Sequence, residues 1–150
     1  MVRWILSVTV LGCLATLVIA GCSGQKPDLP ELTAVQGTVT LDGKPIADVT
    51  VWFVPAASTP GNGGFGKTAP DGRYTLTSLG GEAGIPQGRY DVTFSKFVMP
   101  DGSEVAKDVQ PESVGARQVL PARYTNASTS RIEATVSPTQ NTFDFSLTSR

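Results

Sequence analysis

The fold is decided by residues 35–45, which read VQGTVTLDGKP. Apolar or small residues alternate with polar ones over the first seven positions, and this period of two is typical of a strand with one buried and one wet face. Asp42-Gly43 then gives a tight-turn signal, because both residues tolerate the positive φ angles that two-residue hairpin turns need. The stretch predicts a strand followed by a sharp reversal of the chain.

The same alternation returns farther along the chain. Residues 49–54 predict a second strand, antiparallel to the first and next to it, and residues 65–69 predict a short one. Pro70-Asp71-Gly72 predicts a turn, and residues 137–142 form a connection of hairpin length between the last two strands. The patterns place in the core Val35, Val39, Val49, Val51, Phe53, Tyr74, Leu76, Tyr90, Val92, Phe94, Ile132, Ala134, Val136, Phe143, Phe145 and Leu147.

Five to seven short strands separated by turn residues predict an all-β antiparallel sandwich or barrel. A sandwich is favoured, since each strand supplies one apolar face and two stacked sheets remove both faces from water, at about 25 cal/mol per Å² buried. The segment from Val98 to Val119 has little periodicity and no predicted element.

The N-terminal residues 1–21 have the layout of a secretory signal, with Arg3, an apolar run and small residues at the end. Ile19-Ala20-Gly21-Cys22 resembles the lipobox of bacterial lipoproteins. The resemblance implies cleavage between Gly21 and Cys22 and attachment of diacylglycerol, and a further fatty acid such as palmitate, to Cys22. Two or more acyl chains give the stable anchoring that one does not. A cysteine in an export signal that is not lipidated is the alternative.

Residues 22–33 are rich in proline and polar residues, which predicts a lipidated tether, and residues 34–150 form the predicted domain. Ser23 follows the cysteine where an aspartate would stand in proteins kept at the inner membrane. By that resemblance the protein is expected on the extracytoplasmic face of the cell membrane or the outer membrane. The mature chain would keep 13 acidic residues against 11 basic ones, since Arg3 is removed from the 12, so no nucleic-acid partner is expected.

The chain has no histidine, which excludes histidine-dependent nucleophile systems and zinc sites of the histidine type. A carboxylate pair among Asp71, Asp91 and Asp144 could hydrolyse glycosides, but surface acids are the more ordinary interpretation. Asp42-Gly43 and Asp71-Gly72 could offer oxygen ligands to calcium, but turn formation accounts for both. We expect no catalytic residue, no metal and no cofactor.

Five motifs together resemble the carboxypeptidase regulatory-like domain: Gly37-Thr38-Val39, Asp42-Gly43-Lys44-Pro45-Ile46, Val49-Thr50-Val51, Asp71-Gly72-Arg73-Tyr74 and Gly88-Arg89-Tyr90-Asp91-Val92. Leu120 to Tyr124 and Asn141 to Phe145 resemble the C-terminal signature of small bacterial lipoproteins with this domain. The resemblance implies a seven-stranded, prealbumin-like (Ig-like) β-sandwich, similar to transthyretin. The motifs are turn and core residues, so it implies architecture and no activity.

Trp52 alternates out of phase with Val51 and Phe53, so it is the candidate binding residue. It either faces outward, where sugar or peptide could bind, or is buried under the segment from Val98 to Val119. The expected function is a non-enzymatic interaction module of the cell envelope, contacting an envelope protein or a glycan. A carbohydrate-binding surface domain is the alternative.

Overall fold

The computed structural model describes residues 30–106 and 108–150. This part of the chain is all-β, as the alternation predicts, and contains a four-residue helix α1 (Ala127–Ser130) and two 3₁₀ helices, Pro111–Val114 and Ala122–Tyr124. The strands are Leu32–Thr33 (β1), Gln36–Leu41 (β2), Lys44–Pro45 (β3), Thr50–Pro55 (β4), Gly64–Lys67 (β5), Arg73–Thr75 (β6), Thr77–Ser78 (β7), Ile85–Pro86 (β8), Gly88–Ser95 (β9), Phe97–Val98 (β10), Arg117–Gln118 (β11), Glu133–Val136 (β12) and Phe145–Leu147 (β13).

The larger sheet has five strands in the order β12-β9-β4-β5-β7, and all of its pairs are antiparallel. Its central pair is β4 with β9, in which Val51 lies opposite Phe94 and Phe53 opposite Val92. These four side chains point inward and are at most 1% exposed. Val51 and Phe53 are two residues apart on β4, and Val92 and Phe94 are two residues apart on β9. Both pairs therefore face inward, as the alternation in the sequence predicted.

The second sheet is built around β2, which pairs with β13 on one edge and with β3 and β6 along the other. Asp42 (φ 50°) and Gly43 (φ 79°) form the two-residue turn into β3, as predicted. The pairing of β13 with β2 is parallel, whereas β3 and β6 run antiparallel to β2.

One core lies between the two sheets, as expected of an all-β sandwich. Phe53 of the larger sheet packs edge-on against Phe143 and Phe145, which come from the segment of β13, with ring centroids 5.8 and 6.3 Å apart. Tyr74 and Tyr90 are buried, and their hydroxyls donate to the carbonyls of Phe143 and Pro86, at 2.8 and 2.7 Å. The polar tips of both tyrosines are thus satisfied inside the core.

Two predicted strand pairings are wrong. The strands at 35–41 and 49–54 are not neighbours, because the Asp42-Gly43 turn returns only into β3, and the chain then crosses through Asp48 (φ 60°) to the larger sheet. Residues 137–142 do not join a hairpin either. Ser137 and Gln140 close a turn on each other, and Asn141 then accepts a hydrogen bond from the backbone of Gln36 in the other sheet.

Strand structure extends beyond two predicted limits. β1 lies inside the segment 22–33 that the sequence assigned to the tether, and it pairs with β8. The segment from Val98 to Val119 begins and ends in the short antiparallel pair of β10 and β11, with the first 3₁₀ helix between them. The sheet framework thus begins two residues before the predicted domain boundary at 34.

Candidate functional site

An exposed aromatic pair lies on the outer face of the larger sheet. Trp52 is central on β4, and the strand register places it opposite Phe65 of β5 on one side and Thr93 of β9 on the other. Val54 follows on the same face. We call Trp52, Phe65 and Val54 the aromatic face; they are 37%, 37% and 40% exposed. Trp52 therefore takes the outward of its two predicted positions and is not covered by the segment from Val98 to Val119.

The two rings form one continuous platform. Their centroids are 4.9 Å apart and their planes are inclined by 33°. Both side chains stand on paired strands, with β4 bonded to a neighbour on each side, so the backbone beneath them is fixed. A platform held on strands is more rigid than one on loops, which reduces the ordering cost of binding.

Phe65 faces outward because the inner side of β5 has no room for side chains. A Cβ atom at Gly64 would lie 2.5 Å from Ile85 Cγ2, and one at Gly66 would lie 2.3 Å from the carbonyl oxygen of Thr75. Glycine on both sides therefore lets β5 approach Ile85 of β8 and Thr75 of β6 closely. Phe65 is not among the site residues predicted from the sequence, although the Gly64-Phe65-Gly66 alternation carries that signal.

Polar side chains border the aromatic face along β9. Thr93, which is 8% exposed, lies beside Trp52, and the half-buried Asp91 lies opposite Val54. To the other described residues, neither the Thr93 hydroxyl nor the Asp91 carboxylate makes a side-chain hydrogen bond or an ion pair. Farther along β9, Arg89 is already paired, since it donates to Glu133 at 3.0 Å. Thr93 thus lies beside the ring of Trp52, and Asp91 lies beside Val54 at the edge of the aromatic face.

The opposite border carries a paired lysine. Lys67 Nζ lies 2.8 Å from Asp48 and 3.8 Å from Glu104. The hydrogen bond with Lys67 holds the pKa of Asp48 below its usual value, and the bond with Asp48 raises the pKa of Lys67. Both charges are therefore present across the neutral pH range, and the lysine is neutralised by its partners.

The three candidate catalytic carboxylates are placed on different elements. Asp91 extends from β9, while Asp144 precedes β13 and accepts hydrogen bonds from the backbone N–H and hydroxyl of Thr38 at 2.8 and 2.7 Å. Asp71 accepts from the backbone of Arg73 at 3.0 Å, inside its turn. Asp71 and Asp144 thus have local structural roles.

The carboxylates of the two candidate calcium loops also have hydrogen-bond partners within the fold. Asp42 accepts from the backbone N–H of Ser149 at 3.0 Å, and this bond lowers its pKa. Within residues 30–106 and 108–150, no three histidine, cysteine, aspartate or glutamate side chains cluster as metal ligands would.

A depression of about 550 Å³ lies beside β2 and β6, with Lys67 of β5 in its lining. Its lining mixes apolar and polar groups and includes Thr38, Arg73 and Asp144. These groups are committed elsewhere in the fold, since Asp144 holds Thr38 and Arg73 lies 3.5 Å from Asp71. Three of the polar groups around the depression thus already have structural partners.

Gly21 and Cys22, the predicted cleavage and lipidation residues, lie outside the described residues. In the part of the chain that the structure describes, no helix has the length and apolarity needed to cross a membrane. No protein-family model, curated protein or solved structure matches the chain. What the protein does must therefore be inferred from its own residues.

Proposed function

We propose that the chain is a non-enzymatic lipoprotein, anchored to a membrane on the extracytoplasmic side, whose β-sandwich is an interaction module of the cell envelope. The membrane itself would be the first partner, through lipid on Cys22. The support for this anchor is the signal layout of residues 1–21, with small residues before the cysteine. Either the cell membrane or the outer membrane could hold it, and Ser23 favours the outer membrane.

The finer fold is part of the proposal. A carboxypeptidase regulatory-like, seven-stranded prealbumin-like sandwich is supported by the motifs between Gly37 and Val92. Several of those residues have structural duties, such as the Asp42-Gly43 turn and the buried Tyr74 and Tyr90. Turn and core duties do not include catalysis, which favours a module that binds over one that reacts.

The observation that carries the proposed binding role is the aromatic face. Phe53 and its core neighbours fill the space between the sheets, so Trp52 and Phe65 are not needed there and remain partly in water. Large exposed aromatic side chains that share one surface are typical of recognition sites. An envelope protein or a glycan could occupy it, and a carbohydrate-binding surface domain is the alternative function that the rings favour.

The anchor is tested by expressing the full chain in a two-membrane bacterium with radiolabelled palmitate. We expect label and membrane association for the natural chain, and loss of both in Cys22→Ser. The matched control is Cys13→Ser, which alters the other cysteine and should keep the label, because that residue lies in the removed segment. An unlabelled natural chain, or one that retains Met1, would overturn the lipid anchor.

A further inference from the structure

We propose that the aromatic face binds the apolar side of a neutral pyranose ring in an envelope glycan. The inference rests on the proposed function and names the ligand class of its binding surface. The sugars that fit are of the glucose or N-acetylglucosamine type, with equatorial hydroxyls and C–H bonds on both faces of the ring. Such a face is flat and apolar at its centre and polar at its rim, which is the complement of two adjacent rings bordered by free polar groups.

The size of the aromatic face favours a sugar over a protein. A whole aromatic side chain presents about 150–250 Å², so three side chains exposed by a little over a third present on the order of 200 Å². Stable protein interfaces take roughly 800 Å² from each partner. One or two pyranose rings are covered by the available area, whereas a folded partner is not.

The polar border matches the rim of such a ring. The Asp91 carboxylate can accept two hydrogen bonds from sugar hydroxyls, and the Thr93 hydroxyl beneath the rim can donate or accept one. Both residues lie on β9, directly across from β4, so they border the aromatic face on one side. Apolar walls with a few convergent polar groups are the usual composition of small-ligand sites.

The charges select neutral sugars. Asp91 lies opposite Glu133 across the β9–β12 pair, and the nearby cations Arg89 and Lys67 are already paired with carboxylates. An anionic sugar would meet the carboxylate of Asp91, while Arg89 and Lys67 are already balanced by their own partners. Uronic acids and sulfated glycans should therefore bind more weakly than uncharged chains.

Tryptophan fluorescence gives a direct test, because the chain has two tryptophans, Trp4 and Trp52. In the full chain carrying Trp4→Phe and purified in detergent, the signal comes from Trp52 alone. Titration with tetramers of β-1,4-linked N-acetylglucosamine or glucose should change that signal saturably. Phe65→Ala should weaken binding about tenfold or more, the size of effect that loss of one stacking ring produces. Asp91→Asn should weaken it less.

Leu79→Ala is the matched control, since Leu79 is an exposed apolar residue outside the aromatic face and its removal should leave affinity within about twofold. The inference is overturned if no neutral oligosaccharide changes the signal, if polygalacturonate binds more tightly, or if Phe65→Ala binds like the natural chain. Those results leave lipid labelling at Cys22 intact, so they are distinct from failure of the proposed function. An unlabelled chain that still binds sugar would overturn only the anchor.

Discussion

Trp52 and Phe53 are neighbours on β4 whose side chains meet opposite environments. Phe53 is 1% exposed and contacts the rings of Tyr90, Phe143 and Phe145. Trp52 touches one ring, that of Phe65, and keeps more than a third of its surface in water. Successive residues on a strand point to opposite faces, so this contrast follows from one step along the chain.

Truncating the two side chains should therefore have different costs. Phe53→Ala should lower the free energy of unfolding by about 3–5 kcal/mol, because it leaves a cavity in the core. Trp52→Ala should lower it by about 1 kcal/mol or less, because most of the lost contact is with a surface ring. Urea unfolding of both variants measures the difference. Equal losses would show that Trp52 belongs to the core and that the aromatic face is no free site.

At the scale of elements, β2 and the segment before β13 approach each other with no space for a side chain between them. Gly37 lies where a Cβ atom would be 1.8 Å from the carbonyl oxygen of Phe143. That carbonyl also accepts the Tyr74 hydroxyl, and the neighbouring Asp144 holds the backbone of Thr38. Glycine at this point lets both bonds form while the strands stay in contact.

Gly37→Ala should therefore lower the free energy of unfolding by about 2–3 kcal/mol, as overpacked sites do. Gly80→Ala is the matched control, because the nearest atom to its Cβ would be Ser78 Oγ at 3.5 Å and its cost should stay within about 0.5 kcal/mol. Thermal and urea unfolding measure both. Equal stability of the two variants would contradict the close approach of these segments.

The strands themselves could be predicted from the sequence because alternation is a local property. Val51, Phe53, Val92 and Phe94 are inward as their pattern indicated. Strand partners could not be predicted in the same way. The parallel pairing of β13 with β2 depends on residues more than 100 positions apart, and a connection of hairpin length does not reveal that the chain crosses to the other sheet.

The candidate site could likewise be predicted only in its local part, the phase of Trp52 along its strand. The phase of Trp52 left two positions open, and the structure takes the outward one. Its neighbour Phe65 could not be assigned to the same surface, because that requires the register between β4 and β5. Whether the side chains of Thr93 and Asp91 have hydrogen-bond partners also depends on which strands lie beside β9, and the sequence does not show this.

At the scale of the whole molecule, the pH dependence of stability follows from the absence of histidine and the burial of two tyrosines. The chain has no histidine, so none of its side chains has an ordinary pKa between 6 and 8. Burial raises the pKa of Tyr90 to about 12 and that of Tyr74 well above its usual value. The folded state therefore holds these two protons more tightly than the unfolded chain does.

Stability should thus be level from pH 6 to 9 and fall from about pH 10 to 12. The tyrosine contribution is fully present below the unfolded pKa near 10 and is lost as pH rises through the folded value. Melting temperature measured across this range checks the shape. Tyr90→Phe should begin less stable, because Pro86 loses its donor, but should decline less steeply above pH 10. A steep change between pH 6 and 8 would contradict the account.

The parallel pair of β2 and β13 has a mechanical consequence. The chain enters β2 at Gln36 and leaves β13 after Leu147, so it enters and leaves this pair at opposite ends. Tension applied between Val35 and Thr148 acts along the strand axis and loads the hydrogen bonds between β2 and β13 in shear. The bonds share that load and have to yield together, whereas a hairpin pulled at its open end unzips one bond at a time.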